Sequence, residues 1–267
     1  MAVTESERIR EVTGGSPLTA RSVLASTLLG TEPPRLPVRR LVRAGALFGL
    51  SEGTVRTALS RMVAAGEVTR TDDGRYELTG PLVERQRRQR RSRAAATEEW
   101  SGRWRQAVVD AGGRSPAERA AFRRAMVRLR MGELRDGVWL RPDNLDAAGS
   151  VEDRSVVDLH CRWFVVHPDD DADLAAELWD LDHWAGRATV LRREMAHLAD
   201  RLRDDDTDAL APGFVLSAAV LRHFNADPLL PRELLPRRWP GDALRADYER
   251  YDAAYRSVLA DWFARRE

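Results

Sequence analysis

The sequence predicts an α+β protein with an N-terminal winged helix-turn-helix, a small mixed central domain and a mainly helical C-terminal domain. Three helical patterns over residues 16–66 are followed at once by two short strands around an Asp-Gly dipeptide. Residues 100–170 then show strand and helix patterns in alternation, which favours a small α+β domain. Beyond residue 171 the apolar spacing is mainly helical.

The N-terminal motif is predicted over residues 16–80, after a tail, residues 1–15, that we expect to be mobile. The first helix starts at Ser16-Pro17, because serine followed by proline is a helix-start signal, and it ends at Gly30.

Two more helices and a hairpin complete the motif. The second helix follows from Pro37, and the third begins at Ser51 and ends at Gly66. A strand on each side of Asp73-Gly74 predicts a hairpin, since Asp-Gly between β-rich segments is a strong hairpin signal.

The remaining chain divides into three parts. Residues 81–99 form a basic linker helix, 100–170 the central domain and 171–267 a helical effector and dimerisation domain. The central elements are strands at Trp104–Val109, Gly137–Leu140 and Val156–Val166, with a helix at Pro116–Met131.

Charge is distributed unevenly along the chain. Residues 1–95 carry 17 Arg and 10 Asp or Glu, although the net charge of all 267 residues is only +1. A basic segment joined to an acidic body is typical of a nucleic-acid-binding domain attached to another domain.

The third helix is amphipathic at about 100° per residue. One face carries the apolar residues Val55, Ala58, Leu59 and Met62. The opposite face carries Gly53, Arg56, Thr57, Ser60 and Arg61. In helix-turn-helix proteins the corresponding helix enters the major groove, so this polar face is the predicted DNA-reading surface.

Each polar residue of that face has an expected role. Ser51 caps the helix and leaves backbone amides that suit a phosphate. Arg56 is expected to pair with a guanine, which discriminates between bases by about 1–3 kcal/mol. Thr57 and Ser60 are expected to reach a base or a phosphate, and Arg61 the DNA backbone.

Arg70 and Arg75 flank the hairpin and are expected to bind phosphate or the minor groove, which positions the protein without specifying sequence. The alternative is a small helical domain whose exposed arginines are merely solvated. Three coincident signals (helices, hairpin and local positive charge) favour DNA binding. The arginine run at 85–93 is either solvated helix surface or an extension that follows phosphates.

No catalytic or metal site is predicted. The five histidines lack the short spacing of metal ligands, and we find no phosphate-binding glycine loop or nucleophile elbow. Asp110 is interpreted as a turn residue rather than a nuclease ligand. Cys161, the single cysteine, excludes an intrachain disulfide and is expected to be buried. We therefore expect a non-enzyme without a cofactor.

A cytoplasmic location is expected. The first fifteen residues are polar and lack the apolar stretch of a signal peptide. No apolar run approaches the ~18 residues of a membrane span, so no membrane association is predicted.

Several stretches resemble the PaaX family of repressors of phenylacetic acid catabolic genes. They are Thr19–Ser22, Leu28–Gly30, Leu50–Met62 (LSEGTVRTALSRM), Trp100–Trp104 (WSGRW), Gly137–Pro142 (GVWLRP), Trp179–Leu181, Asp227–Pro236 (DPLLPRELLP) and Trp239–Gly241. They occur in order over residues 17–260. The chain departs from the family at Ala188, where members carry an aromatic residue, and in the acidic loop Asp204–Asp208.

The resemblance implies an N-terminal winged helix, a central ferredoxin-like domain and a C-terminal helical domain. It also implies a homodimeric repressor that binds a double-stranded DNA operator with an inverted repeat. Phenylacetyl-CoA or another acyl-CoA effector would release the repressor from this operator. The effector-binding residues are not assigned. Two alternatives stay open: a CoA-ester-processing enzyme with an accessory DNA-binding head, and a nucleic-acid or protein interaction module without effector control.

Overall fold

The structure, a computed structural model, describes residues 5–15, 18–95, 97–110, 112–145 and 151–264. The chain divides into two compact units. Unit 1 comprises Met1–Arg93, Arg187–Phe224 and Asp242–Glu267, and unit 2 comprises Ala94–Gly186 and Asn225–Gly241. Unit 1 thus combines the N-terminal segment with helices from the predicted C-terminal domain. The domain boundaries predicted from sequence stay a prediction.

A helix, α1 (Glu5–Thr13), occupies most of the tail that we expected to be mobile. Ile9 is fully buried. Arg8 forms an ion pair with Glu194 at 2.9 Å. This packing to a distant helix was not apparent from a short polar sequence, so the expectation of a mobile tail is wrong over residues 5–13.

The next helix begins at Ala20, with Thr19 as its N-cap. The hydroxyl of Thr19 accepts a hydrogen bond from Ser22 N, and the hydroxyl of Ser22 accepts one from Thr19 N. This reciprocal capping satisfies two backbone donors that would otherwise lack partners. Ser16 and Pro17, where the sequence predicted the helix to start, lie outside the described residues.

Four helices and three strands make up the rest of the N-terminal segment. They are α2 (Ala20–Leu29), β1 (Arg35–Pro37), α3 (Val38–Ala46), α4 (Glu52–Ala64), β2 (Val68–Arg70), β3 (Arg75–Leu78) and α5 (Pro81–Ala94). The strands form an antiparallel sheet in the order β1-β3-β2. The predicted helices and the β2–β3 hairpin are confirmed, except that the linker helix predicted over residues 81–99 ends at Ala94 and residues 97–99 are not helical. Strand β1 was not predicted, because three residues are too few to show alternation.

Helices α2, α3 and α4 enclose one apolar core. Leu24, Leu41, Val55 and Leu59 are fully buried in it. A Cβ atom on Gly45 of α3 would lie 2.7 Å from Val55 Cγ2 of α4. The two helices therefore approach so closely that a side chain at position 45 would displace one of them.

Unit 2 is built around a four-stranded sheet. Its elements are β4 (Trp104–Val109), α6 (Pro116–Arg128), β5 (Gly132–Arg135), β6 (Val138–Pro142), α7 (Val151–Asp158), β7 (Cys161–Val166) and α8 (Asp171–Leu178). The sheet is antiparallel in the order β5-β6-β4-β7. Phe122 of α6 and Val157 of α7 are buried against one face with Trp139. Ala175 of α8 is buried against the other face with Trp104.

The predicted strand Val156–Val166 is wrong in its first half. Residues up to Asp158 belong to α7, and the strand begins only at Cys161. Val157 is fully buried beside α6. Packing on a neighbouring helix thus overrides the strand preference of β-branched residues. Strand β5, Gly132–Arg135, was missed.

Three long helices follow: α9 (Leu181–Arg203), α10 (Leu210–Asn225) and α11 (Gly241–Ala264). In unit 1, the Tyr251 hydroxyl of α11 donates to Gly213 O of α10 at 2.7 Å. Tyr248, Tyr251 and Tyr255 lie on successive turns, and their rings are 6.3 Å apart from one to the next. Among the described residues, no helix is long and apolar enough to cross a membrane.

We predict that Gly45→Ala lowers the free energy of unfolding by about 1–3 kcal/mol, because the added methyl group overpacks the α3–α4 contact. Urea unfolding followed by circular dichroism measures this. Gly53→Ala in α4 is the matched control, since its methyl group would have no neighbour nearer than Ser51 Oγ at 4.0 Å. Equal stabilities of the two variants would contradict the close helix approach.

Candidate nucleic-acid interface

Helix α4 is held with one defined face towards solvent. Val55, Leu59 and Met62 are buried at 0%, 0% and 1% exposure. Their spacing of three to four residues places them on one side of the helix. The burial of this side leaves the opposite side of α4 exposed.

All seven residues that the sequence nominated for DNA contact are exposed. They are Ser51, Arg56, Thr57, Ser60, Arg61, Arg70 and Arg75. The first five lie together at the start and along the outer side of α4, and the last two lie on the hairpin.

The N-terminus of α4 is capped by its own side chains. Ser51 Oγ accepts a hydrogen bond from Thr54 N at 3.2 Å and shares another with Thr54 Oγ1 at 2.9 Å. Ser51 therefore stabilises the helix start in the free protein. The amides of Glu52 and Gly53 precede this bond, at the positively polarised helix end where an anion binds favourably.

Arg56 has a carboxylate partner that the sequence reasoning missed. Its guanidinium forms an ion pair with Glu52, one turn earlier, at 2.6 Å, and both side chains are 58% exposed. Such an exposed pair contributes only about 0.3–0.5 kcal/mol, so DNA can displace it. The i,i+4 spacing of Glu52 and Arg56 was visible in the sequence and predicts this contact.

The hairpin does not present its two arginines on the same face. Arg70 lies opposite Tyr76 across the β2–β3 pair, and Arg75 is the neighbour of Tyr76 along β3. Because side chains alternate along a strand, Arg70 and Arg75 leave the hairpin on opposite faces.

Acidic residues also occupy the hairpin tip. Arg75 forms an ion pair with Asp73 at 3.0 Å, and Asp72 is exposed beside it. A hydrogen bond from the Thr71 hydroxyl is the main cause that lowers the pKa of Asp73, with smaller effects from Arg75. The tip therefore carries negative charge at neutral pH, and it disfavours deep entry into a phosphate-lined groove.

The arginine run on α5 is largely committed to contacts within the protein. Arg93 binds Asp252 of α11 at 2.9 Å and lies 5.1 Å from the ring centre of Tyr248. Arg90 pairs with Glu32, and Arg87 with Glu84. These contacts favour the structural interpretation of the run over a phosphate-following extension.

Helix α3 is bound by the last turn of α11. Arg43 donates hydrogen bonds to Trp262 O at 2.8 Å and Phe263 O at 2.7 Å. Its guanidinium also lies 5.1 Å from the Trp262 ring centre. Phe48, in the turn before α4, contacts Phe214 of α10 edge-on at 5.0 Å. The helices of the C-terminal segment in unit 1 therefore contact both α3 and the turn that precedes α4.

The remaining candidate residues of the sequence show no arrangement for catalysis. Cys161 is 9% exposed, and burial raises the pKa of its thiol to about 11, so the reactive thiolate is scarce at neutral pH. Asp110 lies 3.4 Å from Arg162 in an exposed ion pair. Within the described ranges, no group of three or more His, Cys, Asp or Glu side chains is placed to hold a metal ion.

Three family models match successive parts of the chain. They are described as PaaX-like protein (residues 19–82), PaaX protein central Cas2-like domain (97–173) and PaaX-like protein C-terminal domain (179–266). The chain belongs to the PaaX family. Membership of the PaaX family indicates a transcriptional regulator of the phenylacetic acid catabolism type.

A solved structure of an uncharacterised protein from Mycobacterium tuberculosis is similar to this PaaX-family chain. The two are 40% identical with a TM-score of 0.71, over 92% of this chain and 99% of that one. The curated proteins include no match.

We predict that Arg43→Met lowers the free energy of unfolding by about 1–2 kcal/mol, because two charge-assisted hydrogen bonds to partly exposed carbonyls are lost. Hydrogen exchange should also become faster in the last turn of α11. Arg61→Met is the control, since Arg61 is exposed on α4. Unchanged exchange around Trp262 would contradict the contact.

Proposed function

We propose that this PaaX-family protein is a ligand-responsive, DNA-binding repressor of aromatic catabolic genes of the phenylacetate type. The observation that supports this most is the orientation of α4, which buries its apolar stripe and exposes the four polar residues of the helix that were nominated for DNA contact, with Ser51 exposed at its N-cap. The protein has no catalytic role in this proposal.

The fold assignment within the proposal rests on element order. A winged helix-turn-helix consists of α3, α4 and the β2–β3 hairpin, with β1 as a third strand. In unit 2 the strands occur in the spatial order second, third, first, fourth. With α6 and α7 as the two intervening helices, this order supports a ferredoxin-like central domain.

DNA docking follows from the exposed face of α4. The helix enters a major groove, Arg56 exchanges Glu52 for a guanine, and Thr57 and Ser60 approach neighbouring bases or phosphates. Ser60 Oγ donates to Arg56 O at 3.1 Å in the free protein, a bond that it can exchange for a DNA acceptor. Arg61, Arg70 and Arg75 contact phosphates and set the register, and the amides behind Ser51 bind another phosphate.

A homodimer places two such helices on an inverted repeat, with half-sites about 34–36 Å apart. An aryl-CoA thioester, with phenylacetyl-CoA as the first candidate, releases the dimer by favouring another geometry of the helix-turn-helix. The ligand can do so only through different affinities for the two geometries. The contacts of Arg43 and Phe48 with α11 and α10 supply a physical link to α3 and its turn.

The test is fluorescence anisotropy of the purified protein on duplex DNA from upstream of its own gene and on scrambled duplex. Sequence-selective binding that weakens with salt and is abolished by phenylacetyl-CoA is the expected result. Selective binding that ignores the thioester would remove this effector from the proposal. Hydrolysis of the thioester during incubation would indicate an enzyme, and no preference on any genomic DNA would reject the regulator.

We predict that Arg56→Ala and Arg75→Ala differ in kind. Arg56→Ala should lose about 1–3 kcal/mol of operator binding and relax specificity at one base pair. Arg75→Ala should weaken operator and scrambled duplex equally and reduce the salt slope by about one unit. Binding isotherms on both duplexes at several salt concentrations measure this. Equal losses on both duplexes for Arg56→Ala would contradict its base-reading role.

We predict that Glu52→Gln strengthens binding to scrambled duplex by a few-fold. The substitution removes a negative charge from the proposed DNA-facing end of α4 and frees Arg56. The stability lost is no more than the contribution of one exposed ion pair. The matched control is Glu84→Gln, which removes the carboxylate partner of Arg87 on α5. A gain of the same size in both variants would mean that net charge alone is responsible.

A further inference from the structure

Arg141 of β6 is a buried cation in the core of unit 2. The residue is only 6% exposed. Its position two residues after Trp139 places it on the sheet face that α6 and α7 cover. Neither the proposed DNA contacts nor the packing of the core uses its charge.

The hydrogen bonds of Arg141 go to neutral groups of its own connection. Nη1 donates to Pro142 O at 3.1 Å, and Nη2 to Leu145 O at 3.4 Å. Among the described residues, no carboxylate lies within 4.0 Å of this guanidinium. Buried charges in proteins are ordinarily paired, because an isolated ion loses its hydration without compensation.

Other arginines increase the positive charge around it. Arg105 of β4 is the cross-strand partner of Arg141, so both side chains lie on the same face. Asp143 and Glu98 are the nearby acids, and Asp143 accepts from Arg105 Nε at 2.8 Å and lies 3.9 Å from Arg103. Asp143 is therefore already paired with two other arginines.

Arg154 of α7 contributes a further cation. It lies 5.1 Å from the ring centre of Trp163 and 4.0 Å from Asp158. Burial lowers the pKa of Arg141 to about 10; Arg105 and Arg154 add to this effect, and Asp143 and Glu98 oppose it. Arg141 nevertheless stays charged at neutral pH.

We propose that Arg141 and Arg105, cross-strand partners on one sheet face, bind a phosphate group of a small-molecule ligand at this end of the β6–β4 pair. Guanidinium groups bind phosphate through paired N–H donors, and the interaction is strongest where water is excluded. Arg105 is 32% exposed on its side chain and bonds Asp143 through Nε, which leaves its terminal amino groups to face an incoming anion. Arg141 supplies the buried charge at the back of the site.

The proposal goes beyond the proposed function, because it does not require that the bound molecule alters DNA binding. Its ligand class is an organic or inorganic phosphate. The shared chemistry is the phosphate group, and the test separates free phosphate from the phosphates of a coenzyme A molecule.

Isothermal titration calorimetry at constant ionic strength tests it with three probes: inorganic phosphate, pyrophosphate and coenzyme A. We expect saturable binding of at least one probe to the wild-type protein. We expect roughly 30-fold weaker binding by Arg141→Met, since removing one member of a buried charge pair has an effect of that order. Tighter binding of coenzyme A than of the two inorganic probes would identify a coenzyme-type ligand, and equal affinities would identify a simple anion site.

Arg162→Met is the matched control. Arg162 lies on β7 of the same sheet and its side chain is 78% exposed, so its loss should leave binding unchanged. Arg105→Gln is the second test variant, because its partly exposed side chain can be replaced even if Arg141→Met fails to fold.

Either of two results would overturn the site: no saturable binding of any probe to the wild-type protein, or equal affinities of the wild-type, Arg105→Gln and folded Arg141→Met proteins. DNA affinity without a probe, measured in parallel, should be unchanged in Arg105→Gln. Loss of phosphate binding and loss of operator binding are thus separate readouts, so a failure of this site is distinguishable from a failure of the regulator proposal.

Discussion

Helices α3 and α4 touch at Gly45 and Val55, and the orientation of the candidate interface depends on this contact. The absence of a side chain at position 45 lets Val55, Leu59 and Met62 enter the common core. Once these residues are buried, the helical period leaves Arg56 and its polar neighbours no position except the solvent side. The orientation of the candidate interface is therefore a consequence of the apolar packing behind it.

Arginine has two different roles in this chain, and net charge does not distinguish them. Arg93 and Arg43 bind carboxylates, carbonyls or aromatic rings within unit 1, so their charge is already satisfied. Arg56 and Arg61 lie exposed on α4, where Glu52 is the carboxylate that pairs with Arg56. The excess of arginine over acids in residues 1–95 therefore overstates the charge that DNA would meet. The acidic hairpin tip at Asp73 reduces the exposed positive charge further.

The C-terminal helices of unit 1 also contact the elements that orient α4. The last turn of α11 accepts two hydrogen bonds from Arg43 of α3, and Phe214 of α10 packs on Phe48. Since α3 and its turn pack against α4, a rearrangement of α10 or α11 at these two contacts would act on the position of the candidate reading helix. Packed elements of this kind move between discrete arrangements rather than deforming continuously, which is the property that a ligand-controlled regulator needs.

The sequence by itself determined the features that depend on neighbours along the chain. The helical period and Ser51 cap of α4, the Asp-Gly hairpin and the seven exposed residues nominated for DNA contact follow from local spacing, and the family follows from ordered motifs. Tertiary structure decided the rest: the helix over residues 5–13, the end of α7 and the start of β7 within residues 156–166, and the partners of Arg43. These depend on residues far away in the chain. Local propensity cannot indicate which distant surface will bury a side chain or leave its charge without a partner.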